Sequence, residues 1–271
     1  MGEPNNLIFH SSKRCNILVV TDADNTLWDT NSVYAEGQLE LLERIERDTG
    51  FKAETRNRLA FIRAIDQELA RLSNYDLKYP PELLVHAVAT HLTGVSPEKA
   101  AENSIDSRTR AGGDTKMRQH VKWFIGHLKR KIPRLRRGVK TGISKLNQIG
   151  IPLIILTEGN RERCQALLDH YNLSNLIVRI IAGRKQVSLY ERISLEFGGS
   201  LDTKVMVGDQ LDRDILTAKQ AGYITIYFPS RFQPAWIAAD KTSVADYQIS
   251  SFKQVPSIIE KMKGSLDCLD L

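Results

Sequence analysis

The chain has 271 residues, 42% of them hydrophobic and 26% charged, with a formal net charge of +6. That balance belongs to folded globular proteins and excludes wholesale disorder. No apolar run approaches the roughly 20 residues of a membrane span, and the N-terminus lacks the apolar stretch of a secretory signal.

The first element is a short apolar run, Asn16 to Thr21, which ends in Asp22-Ala23-Asp24-Asn25. A continuous apolar run of this length predicts a strand buried on both faces, as in parallel sheets. Strand signals then stop from about residue 31 to 134. Helical patterns occupy Ser32–Thr49, Glu54–Leu72, Glu82–Leu92 and Lys116–Lys131, with a loop expected over Ser104–Asp114 around Gly112-Gly113. Strand runs return at Ile151–Leu156, Leu176–Ile181, Lys204–Val207 and Tyr223–Phe228. Between them lie helical patterns at Val139–Ile149, Arg161–Tyr171, Gln186–Phe197 and Asp212–Ala221, with Gly150, Gly198 and Gly222 where C-caps belong. A last helix is expected over Gln254–Lys263.

Strands alternating with such helices predict an α/β fold with a doubly wound parallel sheet. The expected organisation is a discontinuous core of residues 14–30 and 135–250. An all-helical insertion fills 31–134, and a C-terminal helix and tail fill 251–271. The cysteines, Cys15, Cys164 and Cys268, show no metal-ligand spacing and no paired framework. They read as reduced thiols in a cytoplasmic protein.

In open parallel sheets ligands bind at the carboxyl ends of the strands. Four of these ends carry polar residues: Asp22 and Asp24, then Thr157, then Lys185, then Asp209 and Asp214. Carboxylates crowded in one cleft repel one another and need a cation, and an all-oxygen set suits Mg²⁺. A lysine and a threonine hydroxyl are donors for phosphate oxygens. A carboxylate beside a bound phosphate is a competent nucleophile once that charge is offset, which makes Asp22 the candidate. Asp24 lies two residues on, so an extended chain points it to the same side, where a general acid and base is needed.

The segment Asp22-Ala23-Asp24-Asn25-Thr26-Leu27-Trp28 resembles the first motif of the haloacid dehalogenase (HAD) superfamily. Thr157 fits the second motif, Lys185 the third, and Gly208-Asp209-Gln210-Leu211-Asp212-Arg213-Asp214 the fourth, in the family's order. The resemblance covers about residues 14–30 and 135–248. It implies a Rossmann-like core and a helical cap between the first two motifs. It implies Asp22 as nucleophile and metal ligand, and Asp24 as acid/base with a backbone carbonyl on Mg²⁺. Thr157 and Lys185 would hold the phosphoryl group, Asp209 would bind metal, and Asp214 would orient Lys185 or a metal-bound water. Glu158-Gly159-Asn160 departs from the commoner Asn-Gly and is expected to face substrate or cap a helix. Arg184 is the neighbouring alternative to Lys185. Asp212 competes with Asp214, although a first-turn helix acid is its simpler role. Trp28 is either a core aromatic or a wall of the substrate pocket.

Within the superfamily, dehalogenases and phosphonatases typically lack an Asp two residues after the nucleophile, so Asp24 points to phosphomonoester hydrolysis. The expected substrate is a small phosphorylated metabolite or nucleotide. Eleven Lys/Arg and a single acid, Asp114, stand between Arg108 and Arg137. That one-signed field suits an anionic partner. Arg108, Arg110, Lys116 and Arg118 are its candidate substrate contacts, and a nucleic-acid end is the alternative substrate. A non-catalytic binding module is the alternative of a different class; the intact set of strand-end residues weighs against it. His120 and His127 show no ligand spacing and are expected to pack or lie on the surface.

Overall fold

The computed structural model describes residues 17–73, 79–107, 115–198, 203–233 and 244–267. Two compact units emerge: Met1–Trp28 with Leu135–Ser230 and Ala239–Leu271, and Asp29–Arg134 with Arg231–Ala238. Among the described residues no helix is long and apolar enough to cross a membrane.

The first unit is built on a six-stranded parallel sheet: β1 (Ile17–Thr21), β2 (Leu153–Thr157), β3 (Arg179–Ala182), β4 (Thr203–Gly208), β5 (Ile224–Tyr227) and β6 (Tyr247–Gln248). Their order is β3-β2-β1-β4-β5-β6, every pair parallel. The chain steps one way from β1 and then crosses back to β4, so the topological switch lies between these two strands. A crevice opens at the carboxyl ends of strands at such a point.

Successive strand side chains point to opposite faces, and both faces here are buried. Ile17, Val19, Leu153, Ile155, Val205 and Val207 join one apolar cluster; Leu18, Val20, Ile154, Leu156 and Met206 join the other. The first cluster is completed by α6 (Val139–Gln148), α7 (Arg161–His170) and α10 (Val255–Asp267). The second is completed by α8 (Val187–Gly198) and α9 (Thr217–Gln220). The C-terminal helix packs into this core: Val255 and Ile259 are fully buried.

The second unit is helical: α1 (Thr30–Thr49), α2 (Arg58–Leu72), α3 (Pro81–His91), α4 (Pro97–Ser107) and α5 (Thr115–Arg130). Leu41, Leu42, Ile45, Ile62, Ile65, Leu69, Val85, Val88, Ala101 and Phe124 form its core. Asp29 caps α1 by accepting the Ser32 N–H at 3.0 Å, and Gly50 ends it at φ 80°.

Three sequence expectations need correction. Helix α4 runs through Ser104–Ser107, where a loop was expected; buried Ala100, Ala101 and Ser104 hold that turn in place. The rest of the expected loop, 108–114, lies outside the described residues, as do Arg108, Arg110, Cys15 and Cys268. The helix expected over Asp212–Ala221 begins as a π-helical turn, Leu211–Leu216. Residues Ile177 and Val178 are linker, and Ser174–Leu176 is a 3₁₀ turn, so β3 is shorter than its apolar run.

Candidate active site

Asp22 follows β1 directly, and its N–H donates to the Val207 carbonyl of β4 at 2.9 Å. That bond extends the ladder by one residue and fixes Asp22 at the switch point. Asp209 follows β4 directly. The cluster of Asp22, Asp209 and Asp214 offers three carboxylate oxygens all within 4.8 Å of one another, each residue buried.

Lys185 enters this cluster from the loop after β3. Its Nζ donates to Asp22 Oδ1 and to Asp214 Oδ1, the latter at 2.5 Å. Arg184 is exposed, so Lys185 is the site lysine. Asp214 is engaged at both oxygens: its Oδ2 accepts the N–H of Asp209 at 3.1 Å and of Gln210 at 3.0 Å. The wide π-helical turn is what brings Asp214 back over these amides. Such turns are frequent at functional sites. Gly208 makes room for it, because a Cβ there would overlap the Asp214 carboxylate. Asp212 lies outside the three-carboxylate cluster.

Charge dominates the chemistry. Three buried carboxylates face one ammonium, two negative charges in excess when all are ionised. Burial pushes the Asp22 carboxyl up, Lys185 pulls it down, and Asp214 pushes it up again, leaving it at about 7. Asp209 is held well above its ordinary value by burial, then by Asp22 and Asp214. Burial alone would lower Lys185, but Asp214 and Asp22 outweigh it and hold the ammonium well above its usual value. Asp22 Oδ2 and Asp209 Oδ1 are buried oxygens without a hydrogen-bond partner. Leaving such oxygens unsatisfied is costly. A divalent cation would balance the charge and occupy these two oxygens, and a hard cation fits an all-carboxylate set. The residues present fit a metal.

Asp24 is held apart from that cluster. The Trp28 indole N–H donates to Asp24 Oδ1 at 3.0 Å, across a turn in which Asn25 adopts φ 61°. Trp28 is 1% exposed and packs in the core, so of its two expected roles the structure gives it the core one. The turn is secured from below by Arg136. Its guanidinium donates to the carbonyls of Asn25, Phe228 and Pro229 and stacks on the Phe228 ring at 3.5 Å.

Thr157 ends β2 and is buried; its Oγ1 accepts the Gly159 N–H at 2.9 Å. A Cβ at Gly159 would lie 2.7 Å from Asp24 Oδ2 and 3.1 Å from Thr157 Oγ1, so Asp24 and Thr157 border the same bare backbone. The Asn160 side chain caps α7, its Oδ1 accepting the Arg163 N–H at 2.7 Å. Glu158 takes partners from two other segments. It accepts the Lys185 backbone N–H at 2.7 Å and pairs with Arg213. No sequence signal marks Arg213, which stands unremarkably between Asp212 and Asp214.

Lys116 and Arg118 are exposed on α5 of the helical unit. His120 and His127 are buried there beside Asp48 and Glu40. The basic stretch is not one uniform field, since Arg136 is a structural residue of the other unit and Lys131 pairs with Glu36.

Solved structures share this architecture. A haloacid dehalogenase-like family hydrolase from Xanthomonas campestris matches with TM-score 0.60 and 19% identity, covering 92% of this chain and 96% of its own. The HAD-family protein YfnB from Bacillus subtilis, bound to magnesium, matches with TM-score 0.58 and 17% identity over 90% and 98%. A predicted phosphoglycolate phosphatase from Haemophilus somnus matches with TM-score 0.56 and 14% identity over 89% and 96%. At these identities the likeness is one of fold. No curated protein matches the chain. The model of the haloacid dehalogenase-like hydrolases, by contrast, matches residues 18–222, which contain all four strand-end motifs and the helical insertion. The chain therefore belongs to the haloacid dehalogenase-like hydrolase family.

Proposed function

We propose that this hydrolase is a Mg²⁺-dependent phosphatase acting on a phosphomonoester through an aspartyl-phosphate at Asp22. One observation carries the reading: two carboxylates on one strand end are held in different ways. Asp22 is buried against Lys185, and Asp24 is held by the Trp28 indole outside the three-carboxylate cluster. Cleaving a phosphoester needs a proton for the leaving oxygen, whereas expelling a halide needs none. Asp24 is the group that would supply it.

In this mechanism an Asp22 oxygen attacks phosphorus and the P–O ester bond breaks. The leaving oxygen takes its proton from Asp24. Asp24, now a carboxylate, removes a proton from water, which attacks phosphorus and releases inorganic phosphate from Asp22. Lys185 offsets negative charge beside the nucleophile. Thr157 already accepts a hydrogen bond from Gly159 N–H, so its own O–H is available to a phosphoryl oxygen. Mg²⁺, held through Asp22 and Asp209, would screen the repulsion between nucleophile and phosphoryl group. Asp214 spends both oxygens on Lys185 and the Asp209 loop and acts by positioning them.

The favoured substrate is a small phosphorylated metabolite or nucleotide. A cytoplasmic setting accords with the scattered cysteines. One observation favours a nucleic-acid end as second reading: helix α5 carries no acidic residue and exposes Lys116, Arg118 and Lys122. The test is phosphate release from p-nitrophenyl phosphate and a panel of metabolite and oligonucleotide phosphoesters. Turnover with Mg²⁺, none with EDTA and none in Asp22→Asn is expected. No turnover on any member of the panel refutes the phosphatase reading, and a salt-insensitive oligonucleotide affinity refutes the second one.

A further inference from the structure

We infer that Glu158 is a positioning residue that sets Lys185 in the site through the lysine's backbone; the inference rests on the phosphatase reading. Lys185 reaches the carboxylates from a loop, not from a strand or helix; the Gly183 N–H ties the start of that loop to the Thr157 carbonyl at 2.9 Å, and exposed Arg184 separates that tie from Lys185. A long side chain on a loop holds a fixed position only if its own backbone is anchored. Glu158 provides that anchor. Its Oε1 accepts the Lys185 N–H at 2.7 Å, joining the end of β2 to the loop after β3. Its Oε2 takes the Arg213 guanidinium, joining the same loop to the residue beside Asp214. Tyr190 adds a tie by donating its O–H to the Arg213 carbonyl at 3.2 Å.

The two ends of the Lys185–Asp214 contact are thus held by one carboxylate. Lys185 is held at its backbone, and Asp214 through the adjacent residue. The Glu158 side chain is 13% exposed and that of Arg213 is 26% exposed, so the pair is partly shielded from water. From the sequence this carboxylate is expected to face substrate or cap a helix. Both of its oxygens are engaged by the protein, one by the Lys185 N–H and one by Arg213.

Ion pairing and N–H acceptance can be separated experimentally. Glu158→Gln keeps an oxygen for the Lys185 N–H and loses the charge. Glu158→Ala loses both. The exchange Glu158→Arg with Arg213→Glu restores an ion pair but leaves the Lys185 N–H without an acceptor. Steady-state turnover of p-nitrophenyl phosphate, melting temperature and amide hydrogen exchange across 183–186 are measured for each. A displacement of about 1 Å in a catalytic group costs up to about a hundredfold. The expected result is a kcat loss of roughly ten- to a hundredfold with little change in KM for Glu158→Ala. The loss for Glu158→Gln should be several-fold smaller, and the exchange variant should regain stability but not kcat. Exchange at Lys185 should quicken in the Ala and exchange variants and least in Gln. The inference is overturned if kcat follows melting temperature across the set, if Gln and Ala lose equally, or if Lys185 exchange is unaltered. Absence of turnover in the unsubstituted protein refutes the phosphatase reading instead, and hydrogen exchange still decides whether Glu158 anchors the loop.

Discussion

The charge imbalance at the switch point predicts how this protein should respond to pH with and without metal. In the metal-free fold the Asp22 carboxyl sits at about 7, against an ordinary 3.8, with burial the largest cause. One pKa unit corresponds to about 1.4 kcal/mol, so ionising Asp22 in the metal-free fold costs on the order of 4 kcal/mol. A raised folded-state pKa means that the folded protein holds the proton more tightly than the unfolded chain. The stability it contributes is complete below about pH 4 and is lost as pH rises through about 7. A cation on Asp22 and Asp209 takes the proton's place, so binding should release protons and strengthen as pH rises. In EDTA the melting temperature should therefore fall between about pH 5 and pH 8. With Mg²⁺ at a hundred times its Kd, stabilisation is about 2.7 kcal/mol. At about 2–4 °C per kcal/mol for a domain of this size, the shift should be roughly 5–11 °C. The increment should be largest at the alkaline end, and Asp22→Asn should flatten the EDTA profile. A Mg²⁺ increment that is absent, or equal at both ends of the range, refutes the argument, as does a wild-type slope in Asp22→Asn.

Other substitutions probe the scaffold of the site. Gly208→Ala should destabilise by about 1–3 kcal/mol in urea unfolding and abolish the Mg²⁺ shift, because the added Cβ occupies the space of the Asp214 carboxylate. Gly159→Ala should cost at least tenfold in kcat while melting temperature changes little, since its Cβ meets Asp24 and Thr157, not the core. Arg136→Met removes the donor to three carbonyls and should cost about 2–4 kcal/mol of stability, read by denaturant midpoint. Cys164 is 4% exposed and its thiol is pushed up to about 12 by burial, then by Asp24 and Asp22; it should resist thiol reagents at neutral pH until the protein unfolds.

The four central strands, β1, β2, β4 and β5, were legible because they are buried on both faces, whereas β6 is two exposed residues and left no apolar run. Such doubly buried strands read as unbroken apolar runs, and β1, β2 and β4 each ended in the polar residues that mark a crevice. The order of Asp22, Thr157, Lys185 and Asp209 along the chain was therefore enough to anticipate their meeting. Period and composition likewise marked the helical insertion, apart from α4. That helix carries small buried residues, Ala100, Ala101 and Ser104, in place of a strong apolar stripe, so its pattern is faint.

By itself, the sequence determined the strand-end residues, their order and the excess of acid among them. Tertiary structure decided which partner each one takes. Lys185 prevailed over Arg184 because only its side chain turns inward, and Asp214 over Asp212 because the π-helical turn carries it over the Asp209 and Gln210 amides. Trp28 became a core residue that holds Asp24, and Glu158 became a tie between strand ends 27 and 55 residues away. Trp28 with Asp24, and Asp214 with the Asp209 and Gln210 amides, are bonds within one turn, whereas the Lys185 and Glu158 outcomes depend on hydrogen bonds between segments distant in the chain. Local periodicity carries no record of such bonds, because they exist only once the sheet has brought the strand ends together.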